Sequence, residues 1–330
     1  MKRNTLRLAL MFSGLVFIMG TLSFGAESRG EVFPFGLGTP GGHGGRIITV
    51  TNLDAEGPGS LRAAIEQKGP RIVVFEVGGV IDLKKETIVV NEPFLTIAGQ
   101  TAPAPGVTLI RGSLLLRKTH DVIIQHIAVR PGDAGEAKKS GWEVDAISTY
   151  KAYNILIEHC SGTWATDENM SVSGPRDKGG EKTSHDITFK NCIIAEGLLN
   201  STHKKGKHSR GSLVMDGCSR IAFIGNLFAH NNRRHPYCKG GSSGVVVNNV
   251  MVNPGTACVL LTKRGHSKYH AAARFAVVGN VMVPGANTKK NLPMIGGKTR
   301  NVYARDNLIR LNDGKTSEVE HDGRGIFTGL

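Results

Sequence analysis

The stretch NNRRHPYCKGG, residues 231 to 241, sets Arg233, Arg234, His235 and Lys239 around Pro236. Like charges this close repel, so the segment is either a solvated basic turn or the wall of a site that faces something negative. A second basic stretch, NSTHKKGKHSRG, carries Lys204, Lys205, Lys207, His208 and Arg210. Acids gather upstream, with Glu143 and Asp145 in GWEVDAI and Asp167 in TDEN. Such carboxylates are the hard oxygen ligands that Ca2+ prefers. Arginine grips planar carboxylates by paired hydrogen bonds better than lysine does. Taken singly, each acid reads as a turn cap or a partner of a nearby lysine. Taken together, opposite a cationic strip, the three read as a metal site with positions left for a carboxylate ligand.

Something must bring these distant segments together. Short runs rich in Val and Ile recur along the chain and amphipathic helix patterns are nearly absent, which indicates an all-β protein. Seven runs, from VIIQHIAV to YARDNLIR, superpose on one polar column: His126, His159, Asn191, Asn226, Asn249, Asn280 and Asn307. Each is followed by a residue expected to face a core: Ile127, Cys160, Cys192, Leu227, Val250, Val281 and Leu308. A strand repeat of this length without intervening helices points to a parallel β-helix, a solenoid whose rungs lie about 4.8 Å apart, with the polar column as an Asn/His ladder. A β-sandwich fits the fixed column poorly. Asp167 and Arg234 each lie eight residues beyond a column member, which predicts one shared face two rungs apart. GPGSLRAAIEQKG predicts a short helix over Leu61–Gln67, N-capped by Ser60, with Leu61, Ala64 and Ile65 inward to cover the N-terminal end.

The first 25 residues read as a secretory leader: Lys2, Arg3 and Arg7, an apolar run, then small residues. Residues 26–330 read as a single domain. Its net charge falls from +14 to +11 without the leader, so a basic exported protein is expected, with an anionic polysaccharide, a cell surface or extracellular nucleic acid as partner. Five cysteines, Cys160, Cys192, Cys218, Cys238 and Cys258, show no zinc spacing and read as core thiols. Acids, calcium and arginines along one groove suit a polyuronate; a heparin-like binding face or a solvated basic surface are the alternatives.

The ordered motifs GPGSLRAAI, GPRIVVFEVGGVIDL, TIAGQTAPAPGVTL, IEHCSGTWATDENMSVS and NNRRHPYCKGG resemble pectate lyases of polysaccharide lyase family one, over about residues 38 to 260. The resemblance implies a right-handed parallel β-helix that cleaves polygalacturonate by Ca2+-dependent β-elimination. It implies that Arg234, in the R-x-P segment, is the catalytic base, that Lys239 (where Arg is usual) and Arg210 bind substrate, and that Glu143, Asp145 and Asp167 hold calcium. The second acid of the family's D-x-x-x-D pair is replaced by Ser171. A secreted monomer that binds acidic polysaccharide, but neither nucleic acid nor membrane once the leader is removed, is the expectation. A calcium-independent pectin lyase and a silent polysaccharide-binding protein are the rivals. A polygalacturonase is disfavoured, since no NTD segment, DD pair or R-I-K stretch is present.

Overall fold

The computed structural model describes residues 35–262, 271–297, 299, 301–311 and 313–321. The leader and the terminal DGRGIFTGL lie outside the described residues. Successive strands pair in parallel with strands one coil away, so the chain winds through three stacks and forms a parallel β-helix. Stack A runs from Arg46–Val50 through Tyr153–Glu158 and His185–Lys190 to Val302–Arg310. Stack B includes Ile127–Arg130, Ser161–Thr163, Ile193–Ala195, Leu227–Ala229 and Val250–Val252. Stack C includes Ile147–Tyr150, Glu168–Ser173, Arg210–Val214, Tyr237–Cys238 and Val259–Leu261. Among the described residues the one antiparallel addition is Thr316–His321, which folds back on Val302–Arg310.

Alternation along each strand sends one set of side chains into the coil. Ile155, Ile187 and Ile221 from stack A, Ile194, Phe228 and Met251 from stack B, and Met170, Val214 and Leu261 from stack C are fully buried. Phe189 and Phe223 on adjacent rungs stack with ring centroids 5.1 Å apart. All five cysteines are buried free thiols, the core thiols expected of them.

The polar column is two columns, one residue out of step. His126, His159 and Asn191 have φ of 52° to 54°, and the matching turn positions on later rungs are Asn248 and Asp306, with glycine at 225 and 279. This left-handed corner between stacks A and B favours Asn, Asp and Gly. The next position points inward: Ile127, Cys160 and Cys192, then Asn226, Asn249, Asn280 and Asn307, as the pairing of Ile193 with Leu227 and of Leu227 with Val250 requires. The true ladder therefore has four members. Asn226 Nδ2 donates to Asn249 Oδ1 (2.9 Å), Asn249 Nδ2 to Asn280 Oδ1 (2.9 Å) and Asn280 Nδ2 to Asn307 Oδ1 (2.9 Å). Leu227 and Val250, expected in the core, are instead 36% and 40% exposed, because the Asn residues before them take the inward position.

The helix spans Leu61–Ile65, two residues shorter than the pattern suggested. Ser60 Oγ accepts from Ala63 N, and Leu61, Ala64 and Ile65 are buried. The segment ahead of the first strand lies lengthwise across stack A. Thr188 Oγ1 donates to Phe35 O, and Gly42 N donates to Thr96 Oγ1 (2.9 Å). Gly36 has φ 90°, and a Cβ there would sit 2.5 Å from Ile155 O and 2.6 Å from Asp186 O, so only glycine permits this approach.

Candidate active site

The corner between stacks A and B is a tight turn, whereas the connections from stack B to stack C carry the long excursions at 131–146 and 196–209. These excursions, with the first residues of the stack C strands, assemble the site. Parallel pairing sets Glu168 opposite Arg210, and an isolated bridge sets Arg210 opposite Arg233. Ala146 N donates to Glu168 O (3.1 Å), which brings Asp145 onto the rung before. Four consecutive rungs thus present Asp145, Asp167 with Glu168, Arg210, and Arg234.

A buried pair of amides fixes the spacing. Asn169 Nδ2 donates to Asn231 Oδ1 (3.0 Å) and to Ala195 O (2.9 Å), while Asn231 Nδ2 donates to Ile194 O (2.8 Å). The acidic turn and the arginine segment are tied together beneath the site. Arg234 has φ 74°, and its carbonyl accepts from Ser212 N (2.7 Å). A Cβ on Gly211 would come 2.3 Å from that carbonyl, so glycine is needed at this crossing.

Carboxylate oxygens of Asp145, Asp167 and Glu168 lie within 4.8 Å of one another. Asp145 accepts from Glu168 N (2.9 Å) and from the Ser171 hydroxyl. The serine that replaces the second acid of the D-x-x-x-D pair therefore bonds to Asp145, on the rung before. Asp167 Oδ1 accepts from His208 Nε2 (2.7 Å) and lies 3.7 Å from His203 Nε2. The two imidazoles are buried and stacked, 3.6 Å apart. Glu168, only 4% exposed, is ion-paired with Arg234. Glu143 does not join this trio: its Oε1 accepts from Lys204 N (3.0 Å) and lies 3.5 Å from His203 Nδ1. The cluster is thus Asp145, Asp167 and Glu168, not Glu143, Asp145 and Asp167.

The electrostatics follow from crowding and burial. Burial, then the charge of Asp167, raises Asp145 to about 7. Burial pushes Asp167 the same way, but its hydrogen bond and charge interaction with His208 outweigh that and hold it below the usual carboxylate range. Burial lowers the Arg234 pKa, while Asp167, Tyr237 and Asp145 act in the opposite direction. Desolvation is the leading cause of that lowering. Burial also lowers Arg210, reinforced by Arg233, and its Nε and Nη1 are buried without a partner. Lys239 and Arg234 flank the Tyr237 ring, with Lys239 Nζ at 6.0 Å and Arg234 Cζ at 5.5 Å from its centroid. Arg233 is exposed.

Sequence reasoning missed His203, His208 and Tyr237 as parts of this arrangement. The five-residue separation of the two histidines inside one basic excursion was the available signal, but it did not reveal that both turn back onto Asp167. Three carboxylates converging where one is held near neutral protonation are an arrangement that a hard divalent cation fits.

A curated protein from Aspergillus terreus named probable pectate lyase C is 34% identical over 254 residues, which is 77% of this chain and 54% of that protein. The chain therefore spans about half the length of this relative. Among solved structures, Jun a 1, the major allergen from cedar pollen, matches with a TM-score of 0.62 at 18% identity, covering 89% of this chain and 88% of that one. A pectate lyase from Bacillus sp. N165 in complex with trigalacturonate matches with a TM-score of 0.52 at 15% identity, covering 90% and 91%. No protein-family model matches the chain.

Proposed function

From a chain that belongs with the pectate lyases in sequence and in its parallel β-helix fold, we propose a pectate lyase that cleaves polygalacturonate by calcium-dependent β-elimination, leaving 4,5-unsaturated ends. The observation that carries this reading is the succession on adjacent rungs of three clustered carboxylates, Arg210 with Nε and Nη1 unpartnered, and the half-buried guanidinium of Arg234. The ligand of a related fold, trigalacturonate, is an acidic sugar chain of the kind such a row would bind.

The proton at C5 of a uronate lies next to a carboxylate, so its removal builds negative charge on the carboxylate oxygens. Arg210 offers the N–H groups of Nε and Nη1, which have no competing partner, to those oxygens, and Lys239 adds a point charge nearby. Donors already in place where charge develops are the largest common source of rate. Arg234 takes the C5 proton, the electron pair left at C5 forms the C4–C5 double bond as the C4–O4 bond breaks, and the departing O4 takes a proton from solvent. Arginine is a poor base at its ordinary pKa, above about 12, and burial moves it in the useful direction. The acids beside it oppose that shift. Ca2+ held by Asp145, Asp167 and Glu168 would neutralise those acids and supply an electrophile for the substrate carboxylate. Ser171, through Asp145, and His208, through Asp167, orient the ligands.

The leader sequence supports export, so the protein acts on its polymer as a secreted enzyme. The test is absorbance of unsaturated products from polygalacturonate, with and without chelator, beside highly methylated pectin. Product that appears with calcium and vanishes with chelator is expected. Activity on methylated pectin that survives chelation would establish the pectin lyase reading instead, and binding without product would establish the silent one.

A further inference from the structure

The excursions 131–146 and 196–209 are stitched into one wall by Lys139 N to Ser201 O (3.1 Å) and Gly141 N to Thr202 O (2.9 Å). Between them lies a cavity of about 460 Å3 lined by Lys138, Lys139, Lys205, Lys207, Asn200 and Ser201, with no acid in its lining. Ser201 is 6% exposed and its hydroxyl has no hydrogen-bond partner. Four exposed lysines at one hollow with no acid among them give it a positive field that draws anions, and an unsatisfied buried hydroxyl is costly. Packing explains neither feature, whereas an anionic, hydroxyl-rich ligand would satisfy both.

The cavity adjoins the site already described. Its loop is pinned to the acids through Lys204 N on Glu143 Oε1 and His208 Nε2 on Asp167 Oδ1. Burial lowers the Lys239 pKa, and Lys205 is among the cations that add to the effect, which places Lys205 within electrostatic reach of Lys239. We propose that this lysine-lined cavity is a distal subsite for carboxylates of the same polyuronate chain whose reacting unit lies at Arg234. The inference rests on the polyuronate reading. Lysine suits the role: as a flexible point charge it can follow a carboxylate without demanding one fixed geometry.

Binding of polygalacturonate and of trigalacturonate would be measured by calorimetry at low and high salt, for the native protein and for Lys138→Ala/Lys139→Ala/Lys207→Ala. Polymer affinity should fall about five- to tenfold in the variant at low salt, as expected for several partly exposed ion pairs, with trimer affinity unchanged and the loss shrinking at high salt. Equal affinities for polymer in the two proteins, or equal losses for polymer and trimer, would overturn the subsite alone. Loss of heparin binding with polygalacturonate unaffected would assign the cavity to a different polyanion. A native protein that binds neither uronate would sink the polyuronate reading along with the subsite.

Discussion

Two columns of stacked polar side chains flank stack B, and they are built on opposite terms. At its leading corner the asparagine ladder is saturated: each Oδ1 accepts from the rung before, and each Nδ2 donates to the rung after or to a backbone carbonyl such as Phe223 O (3.0 Å) or Val246 O (2.8 Å). At its trailing corner the column is mismatched. Asp145 is pushed toward protonation, Arg210 keeps two idle donors, and Glu168 faces Arg234 across the rungs. The ladder is fully buried, whereas apart from Glu168 the members of the mismatched column are only half-buried. A saturated column has no reason to bind anything, whereas a mismatched one gains from a ligand that completes it. The contrast separates residues that hold the coil from residues that use it.

Breaking each column in turn should give opposite signatures. Arg234→Lys should lower turnover about a thousandfold, the scale of a lost general base, with an unchanged circular dichroism spectrum and melting temperature. Near-normal turnover would remove Arg234 from its role. Asn249→Ala should do the reverse. It leaves Asn226 N and Nδ2 without their shared acceptor, so stability should fall by about 3 kcal/mol in urea titration while activity per folded molecule holds.

A buried histidine next to Arg234 sharpens the comparison by pH. His235 is fully buried, and burial lowers its pKa to about 4. The unfolded chain takes up a proton near pH 6.5 that the folded chain refuses until about pH 4. His235 therefore costs nothing above about pH 6.5, and its penalty grows as the pH falls, reaching about 3 kcal/mol near pH 4. The difference in stability between native protein and His235→Leu should move by that amount from pH 7 to pH 4. A constant difference would mean that His235 takes up its proton in the fold as readily as in the unfolded chain. The smallest expected effect is at Ser171. Replacing its hydroxyl with a carboxylate, Ser171→Asp, should tighten calcium about tenfold, read as the shift of melting temperature with calcium, and should weaken the metal-free protein. A melting temperature indifferent to calcium in both proteins would show that the trio holds no metal.

The solenoid and the rung assignment of Asp167 and Arg234 were legible because strand alternation and repeat length act locally and recur. The ladder was misread by one residue because Asn has two separate reasons to sit at this corner. Its short amide tolerates the left-handed turn, as at Asn191 and Asn248, and also bridges rungs from the inward position, as at Asn226 and Asn249. A single column of Asn conceals that change of role. Site residues on regular strands or next to them, such as Arg210 and Asp145, fell where expected. Glu143, His203 and His208 lie on long excursions, whose paths are set by contacts between loops rather than by any period. Tyr237 was hidden by its ordinary appearance beside Pro236.

The segment that lies across stack A bears on the order of events during synthesis. Phe35 and Gly36 leave the ribosome before any rung exists, yet their berth is formed by Ile155, Asp186 and Thr188, which follow more than a hundred residues later. The chain's earliest described residues must therefore wait, undocked, until half the coil has been wound, and their seating reports that those rungs are in register.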